Sequence, residues 1–310
     1  MKKMISFEKA KSDINTNFEI QSKTLDESPK EDVELNLFGS VEHNDDNFDK
    51  WPDICDNPTE QDVLDYIALV LARNIDSMKA FKGGYMLNQI LKKDSRLTHD
   101  IDFSINYKEN YNEVKKVLKE IGDYFVRKEL AKSYKIKEEI SKTSSGGLVI
   151  YDTSGNVFAK VDVSVHNLFY GICDYNIKIG KVEAFGIERM LADKILVILS
   201  RQRFKRSKDL YDFYVLVNKY DFKYDELVYC IENRDNYDPN VWNNIPFSEE
   251  VLIQYQNAWN KLRLVSFKDG SKLKKPIFSD VIDLFNYIAV RIKNKTVASN
   301  WNHKDLTWEE

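Results

Sequence analysis

Cysteine and histidine are scarce in this sequence, and long apolar runs are missing. Its 310 residues include 3 cysteines and 4 histidines, which are scattered and show no C-x-x-C spacing. This argues against a disulfide framework and against a zinc site. No apolar run approaches the roughly 20 residues that cross a bilayer, and the basic start MKKMISFEKAKSD has no apolar centre. We therefore expect a cytoplasmic protein that does not contact a membrane.

An excess of basic residues is also missing, because the formal net charge is -4. This argues against wholesale, non-specific binding of nucleic acid, although a local basic patch is still able to bind a polyanion. The sequence does have enough apolar residues, 43% of the total, for a globular protein with one large or two ordinary domains.

The chain divides into three predicted regions. Residues 1–56 are predicted to form an acidic N-terminal leader or arm, because residues 24–50 are acidic and poor in apolar residues. Residues 57–184 combine helix and strand patterns and are predicted to form the core domain. Residues 185–310 show mainly the 3.6-residue periodicity of helices and are predicted to form a mostly helical C-terminal domain. The predicted fold class is therefore α+β.

Capping residues and periodicity predict the individual elements. The sequence NPTE at 57–60 has the residues of a helix start, with Asn57 as the cap, and predicts a helix to about residue 78. Further helices are predicted at 85–91, 110–131, 187–199, 208–217, 248–264 and 279–293. Strands are predicted within RLTHDIDF, residues 96–103, and at 148–151 and 157–165 on either side of the turn sequence DTSGN.

The stretch RLTHDIDF places two aspartates one residue apart on an otherwise apolar strand. Side chains two apart on a strand point to the same face, so Asp100 and Asp102 lie side by side while Ile101 and Phe103 pack the other way. Two like charges in this position repel, and a divalent cation would stabilise them. Oxygen ligands favour Mg²⁺ or Mn²⁺ over zinc. Taken alone, however, such a triplet is more often a solvated edge or turn.

A third carboxylate and a glycine pair extend this pattern. In the strand VFAKVDVSV the apolar and polar residues alternate, so Asp162 faces away from the valine side. If this strand lies beside the first, three carboxylates converge in the arrangement that holds two cations for displacement at phosphorus. Gly83 and Gly84 follow Lys82 and precede a short helix, whose amide groups are able to contact phosphate oxygens. The combination indicates a site for a nucleoside triphosphate.

The segment RQRFKR, residues 201–206, is a local basic patch. Arg201, Arg203 and Arg206 surround Phe204, and cations around an aromatic ring are typical of sites that bind a phosphate backbone and stack a base. A charge run is more often a solvated loop. Two alternatives therefore stay open: the segment contacts RNA or triphosphate, or it is a solvated loop.

The order of these motifs resembles the AbiEii/AbiGii abortive-infection toxin family, which includes the MenT-like toxins and belongs to the polymerase-beta-like nucleotidyltransferase superfamily. The resemblance rests on FKGGYMLNQIL, RLTHDIDF, KVDVSV and ERMLADKILVILSRQRFKRSKDLYDFY, within about residues 79–218. It implies a nucleotidyltransferase core in which a mixed sheet is flanked by helices.

The resemblance also implies roles for individual residues. Gly83 and Gly84 would contact triphosphate, Asp100 and Asp102 would hold Mg²⁺, and Asp162 would bind a metal ion or act as a base. The residues that it adds are Lys82 and Thr98 near the nucleotide, Lys194 and Asp209 in catalysis, and Lys208 and Asp212 of the K-D-x-x-D element near the nucleotide. From the residues alone, Asp209 is equally explained as an acid at a helix start, and Lys194 as a surface lysine.

The predicted function combines the motifs with the resemblance. We predict a Mg²⁺- or Mn²⁺-dependent nucleotidyltransferase that transfers a nucleoside monophosphate from a nucleoside triphosphate and releases pyrophosphate. The resemblance implies a toxin of a type IV toxin-antitoxin system in phage defence, which acts on the 3′ end of tRNA and forms no stable complex with its antitoxin. Two alternatives stay open: modification of a small molecule or a protein, and a non-catalytic module that binds GTP or another nucleotide.

Overall fold

The structure, a computed structural model, describes residues 53–56, 58–138, 140, 145–200, 206–266, 270–296 and 299–309. Most of the predicted leader lies outside these ranges, as do Arg201 and Arg203 of the basic segment. Among the helices in these ranges, none is both long and apolar enough to cross a membrane.

A mixed sheet of seven strands forms the centre of the described chain. Its strands are β1 (Lys79–Lys82), β2 (Asp100–Ile105), β3 (Ser133–Lys137), β4 (Gly146–Tyr151), β5 (Val157–Val165), β6 (Ile172–Ile177) and β7 (Gly180–Phe185). They are ordered β3-β4-β5-β2-β1-β7-β6. The pairs β2–β5 and β1–β7 are parallel, and the other neighbouring pairs are antiparallel. This order places β2 between β1 and β5, which are distant in sequence.

Helices pack on this sheet and form most of the chain that follows it. They are α1 (Glu60–Asn74), α2 (Gly83–Leu91), α3 (Tyr111–Arg127), α4 (Ile187–Leu199), α5 (Ser207–Val217), α6 (Tyr224–Glu232), α7 (Glu249–Lys261) and α8 (Phe278–Lys293). A small three-stranded sheet contains β8 (Phe222–Lys223), β9 (Asn300–Asn302) and β10 (Thr307–Trp308). The predicted α+β class with a mixed sheet flanked by helices is confirmed. The division into domains at residues 56 and 184 stays a prediction.

The central strands have one apolar and one polar face, as their alternating residues predict. Ile101 and Phe103 on β2 and Val161 and Val163 on β5 are buried, on the side where α1 contacts both strands. Burying a side chain of this size stabilises the fold by about 1.5–3 kcal/mol. The apolar face also fixes the pairing register, because a slip by one residue would bury Asp102 and expose Phe103.

Helix α1 is capped by Thr59 and not by the predicted residue, Asn57. Its cap is Thr59, whose Oγ1 accepts from the Asp62 amide at 3.2 Å, while Asp62 Oδ2 accepts from the Thr59 amide at 3.0 Å. Asn57, the predicted cap, lies outside the described residues. The reciprocal bonds of a capping box need residues three apart, which Thr59 and Asp62 satisfy. The helix ends at Asn74, earlier than predicted, because Ile75 is already extended.

Candidate active site

Aspartates from two strands meet on the polar face of the central sheet. Strands β2 and β5 are parallel, with Asp102 directly opposite Asp162 and Asp100 opposite Lys160. Neighbouring strands lie about 4.8 Å apart, so Asp102 and Asp162 are direct neighbours across the ladder. The two strands are therefore adjacent, which is the condition on which the convergence of three carboxylates depended, and Asp100, Asp102 and Asp162 lie on one face.

The glycine pair lies directly against Asp102 and Thr98. Strand β1 is antiparallel to β2 with Lys82 opposite Asp102, so the chain turns into α2 beside that carboxylate. Gly83 has a φ of +65°, and a Cβ atom on it would lie 1.9 Å from Asp102 Oδ2. A Cβ atom on Gly84 would lie 2.7 Å from Thr98 Oγ1. The first turn of α2 therefore starts beside the aspartates, and a helix N-terminus is a favourable place for phosphate.

Burial and the neighbouring charge of Asp100 destabilise the ionised form of the Asp102 carboxylate. Burial, followed by the charge of Asp100, raises the pKa of Asp102 to about 6, although Lys82 and Lys194 oppose the shift. The Thr98 hydroxyl donates a hydrogen bond to Asp100 Oδ1. The ionised form of Asp102 is thus destabilised, and a nearby cation would restore its stability.

The donors at this point fit a hard divalent cation. Asp100 and Asp102 supply carboxylate oxygens, and Thr98 supplies a hydroxyl oxygen beside them. Within the described part of the chain, no group of three or more His, Cys, Asp or Glu residues is arranged to hold a metal ion. Mg²⁺ is usually bound through one or two carboxylates, with water and substrate phosphates as its other ligands. Two carboxylates next to a phosphate-binding helix end fit that mode of binding.

Asp162 differs from this pair because two lysines engage its carboxylate. The Lys160 ammonium donates to Asp162 Oδ2, and Lys137 Nζ lies 3.7 Å from Asp162 Oδ1. Although burial lowers the pKa of Lys160, the hydrogen bond with Asp162 and the charges of Asp100 and Asp102 raise it overall. The Lys160 ammonium therefore lies in the field of all three aspartates, and Asp162 is the one least available to a metal ion.

A second ionic cluster joins α4, α5 and the segment before β2. Lys194 Nζ lies 2.8 Å from Asp209 Oδ1 and 2.8 Å from Asp212 Oδ2. Arg96 donates two hydrogen bonds to Asp212, at 2.9 Å from Nε and 3.0 Å from Nη2. Burial lowers the pKa of Lys194, but Asp212 and Asp209 outweigh it and hold that pKa well above its usual value. The predicted residues Lys194, Asp209 and Asp212 are thus in direct contact.

Lys82, the residue before the glycine pair, forms a hydrogen bond across the central sheet. Its Nζ donates to Ser164 Oγ at 2.8 Å and lies 3.5 Å from both ring nitrogens of His166. Burial lowers its pKa, and the charges of Asp193 and Asp102 oppose that shift. The side chain crosses β2 and links β1 to β5. Its contact with a nucleotide stays a prediction.

Of the other predicted cations, Arg206 and Lys208 are within the described residues, next to Asp209 of the second cluster. Lys208, next to Asp209 in sequence, is exposed. Arg206 Nη1 lies 3.7 Å from Asp209 Oδ2. Arg201 and Arg203 lie outside the described residues. The roles of these residues therefore stay predictions.

Sequence reasoning missed three cations that contact the aspartates. For Lys160 the signal was present, because strand alternation puts it on the same face as Asp162. For Lys137 the signal was weak, since its strand was not predicted. Arg96 lies within RLTHDIDF, but its partner Asp212 is 116 residues away in sequence, and no local pattern predicts such a contact.

The lowered pKa of His166, which lies next to Lys82, should make the stability of the protein depend on pH. Burial, together with the charge of Lys82, lowers the pKa of His166 to about 3 from the ordinary value of 6.5. Between these two values the unfolded chain binds more protons than the folded one, so the free energy of unfolding falls as the pH falls. We expect His166 to account for about 2 kcal/mol of the loss of stability between pH 7 and pH 5.

Denaturant unfolding at the two pH values measures this effect. The variant His166→Gln should lose less stability between pH 7 and pH 5 than the wild type does. His99→Gln is the matched control, because the His99 side chain is 66% exposed. Equal losses in the wild type and His166→Gln would contradict the prediction.

A glycine pair at the start of a helix, packed on Asp102 and Thr98 beside the second aspartate Asp100, is the arrangement expected of a nucleotidyltransferase. The chain belongs to the family described as nucleotidyl transferase AbiEii toxin, type IV toxin-antitoxin system, whose model matches residues 69–275, about two thirds of the sequence. A comparison with curated proteins finds no match. The resemblance noted in the sequence is therefore confirmed: the protein is a nucleotidyltransferase of a toxin family that implies a nucleoside triphosphate substrate and an antitoxin partner.

Comparison with solved structures finds matches of low sequence identity. MenT4, a nucleotidyltransferase toxin from Mycobacterium tuberculosis H37Rv, is 13% identical, with a TM-score of 0.45 over 76% of this chain and 84% of its own. JHP933 from Helicobacter pylori is 15% identical, with a TM-score of 0.43 over 76% of this chain and 94% of its own. The antibiotic-resistance factor ANT(2″)-Ia is 12% identical, with a TM-score of 0.40 over 56% of this chain and 90% of its own.

Proposed function

We propose that this toxin is Mg²⁺- or Mn²⁺-dependent and transfers a nucleoside monophosphate to the 3′ end of tRNA, in a pair that defends the cell against phage. One observation carries the chemistry: Gly83 packs on Asp102, which joins a helix end suited to phosphate to a carboxylate pair suited to a cation. Family membership supports transfer from a triphosphate. The tRNA acceptor and the role in defence are inferences from the motifs shared with the family.

Each part of the site has a role in this proposal. Asp100 and Asp102 would hold the cation, with Asp162 as a third candidate ligand or base, and the amides of Gly83 and Gly84 would contact the triphosphate. When bound, the cation neutralises charge on the triphosphate and so lowers the barrier to attack. The protein holds the acceptor hydroxyl in line with the α-phosphorus, and pyrophosphate leaves from the opposite side.

Lys194 and the acids of α5 complete the proposed nucleotide site. Burial raises the pKa of Asp102, and the charge of Lys194 opposes that rise, so the Lys194 ammonium is near enough to act on the metal-binding pair. Asp209 and Asp212 fix that ammonium in place. We assign Lys194 to the leaving phosphates and Asp209 to the orientation of Lys194. Thr98 is a further candidate contact, since its hydroxyl lies beside Gly84.

The antitoxin is proposed to act without forming a stable complex with the toxin. The type IV description of the family supports an antitoxin partner of this kind. Gel filtration of the two co-expressed proteins should therefore show two separate species. A single species that contains both proteins would contradict this part of the proposal.

Labelled nucleotides test the proposed reaction. The full chain is incubated with Mg²⁺, total cellular RNA and each of the four labelled triphosphates in turn. Label should appear on RNA of tRNA size with the wild type, and it should be absent with Asp100→Ala or in the presence of a chelator. RNA treated with periodate, which destroys the 3′-terminal diol, should accept no label.

The other outcomes separate the alternatives. Label found only on a small molecule or on protein would overturn the tRNA acceptor and favour a transferase with another acceptor. Equal growth arrest on induction of the wild type and of Asp100→Ala would remove nucleotide transfer from the explanation of toxicity.

A further inference from the structure

The sheet face that carries the aspartates continues over β5, β4 and β3 to the edge of the sheet. Two rows of directly opposed residues cross these strands: Lys135, Val149 and Lys160 in one row, and Lys137, Gly147 and Asp162 in the next. Directly opposed residues lie on the same face of a sheet. Lys135, Lys137 and Lys160 are therefore on the face of the aspartates, in rows that lead from the edge strand to them.

Side-chain contacts agree with this arrangement. Lys135 Nζ lies 5.7 Å from the centre of the Tyr151 ring, and Lys137 Nζ lies 3.7 Å from Asp162 Oδ1. Because Gly147 has no side chain, the Lys137 ammonium is able to reach Asp162 across β4. Lys135 and Lys137 are exposed, and Tyr151 is half-buried. This face is thus open to a ligand from solvent.

Glu138, the first residue after β3, is directed to the opposite side of the sheet, where α3 packs, and Glu139 lies outside the described residues. Glu138 accepts a hydrogen bond from Lys115 of α3 at 3.1 Å. Tyr134 of β3 donates to Asp123 of α3 at 2.6 Å. On β3 and β4, both within the described ranges, the open face carries lysines and no acidic side chain. On this face, the charged side chains of β3 and β4 are therefore all positive, in a protein whose formal net charge is -4.

We propose that this lysine face, defined by Lys135, Lys137, Lys160 and Tyr151, binds the single-stranded 3′ end of the acceptor RNA. The ammonium groups match the phosphates of a nucleic-acid backbone, and the Tyr151 ring offers a surface on which a base stacks. The rows end at the aspartates, where the terminal hydroxyl would meet the α-phosphorus. The inference rests on the proposed function, because the bound RNA is the acceptor of that reaction.

The test uses the full chain and a labelled single-stranded oligoribonucleotide. Two variants change the lysine face without a contact to the aspartates: Lys135→Gln and Tyr151→Ala. The matched control is Lys119→Gln, because Lys119 is exposed on α3 at the other side of the sheet. Circular dichroism spectra check that each variant is folded.

We expect Lys135→Gln to reduce the salt dependence of binding by about 0.7 in the slope of log affinity against log salt. Tyr151→Ala should weaken oligonucleotide binding about fivefold or more. Lys119→Gln should change neither quantity. In transfer assays, Lys135→Gln and Tyr151→Ala should raise the KM for RNA and leave the KM for the triphosphate unchanged.

The failure of this inference is distinguishable from the failure of the proposed function. If the wild type transfers nucleotide to RNA and both variants behave like Lys119→Gln, the lysine face is overturned and the function stands. If the wild type labels only a small molecule or a protein and does not bind the oligoribonucleotide, both proposals are overturned.

Discussion

Asp102→Asn should slow nucleotidyl transfer by at least about a hundredfold while the protein stays folded. Asparagine has the size of aspartate and keeps the contact with Gly83, but it lacks the charge that would hold the cation. Burial and Asp100 already destabilise the ionised Asp102, whose pKa is raised to about 6. The variant should therefore unfold at the same temperature as the wild type or at a higher one.

Initial rates of transfer and thermal unfolding curves measure the two halves of this prediction. Binding of Mn²⁺, followed by its paramagnetic resonance signal in the absence of substrate, should weaken in parallel with the rate. The matched control is Asp174→Asn on β6, because the Asp174 side chain is 52% exposed and pairs with Lys181. A rate like that of the wild type for Asp102→Asn would show that the reaction takes place elsewhere.

Asp212→Ala should have the largest effect on stability, a loss of about 3–5 kcal/mol in the free energy of unfolding. The Asp212 side chain is only 4% exposed and pairs with both Lys194 and Arg96. Burial raises its pKa, but these two cations outweigh the effect and hold the pKa below its usual value. Without Asp212, Lys194 would keep its ion pair with Asp209, but Arg96 would lose both of its hydrogen bonds to a carboxylate.

Urea unfolding measures this loss, and Asp283→Ala provides the control. Asp283 is also a helical aspartate, but it is exposed on α8, so its replacement should change the stability by less than about 0.5 kcal/mol. If Asp212→Ala lost as little stability as Asp283→Ala, Lys194 and Arg96 would have found other partners in the absence of Asp212.

Local patterns were sufficient to predict the faces of the central strands. The direction of a side chain on a strand depends only on the parity of its position, so alternation in VFAKVDVSV correctly placed Asp162 opposite the valines. That β5 lies beside β2 did not follow from alternation. The two strands are parallel and separated by α3, β3 and β4, and their pairing is a property of the whole sheet.

The sequence was less informative where strands are short or little buried. Strand β1 has only 4 residues, and β3 and β6 show exposed residues along much of their length. Such segments give no clear run of apolar residues, so β1, β3, β6 and β7 were not predicted. Without β3, neither Lys137 nor the open face beside the aspartates was foreseeable.

The contact between Gly83 and Asp102 makes two separate sequence motifs depend on each other sterically. Any larger residue at position 83 would have to displace the carboxylate at 102, because its Cβ atom would lie 1.9 Å from Asp102 Oδ2. A substitution at position 83 would therefore disturb the carboxylate at position 102 as well as the start of α2.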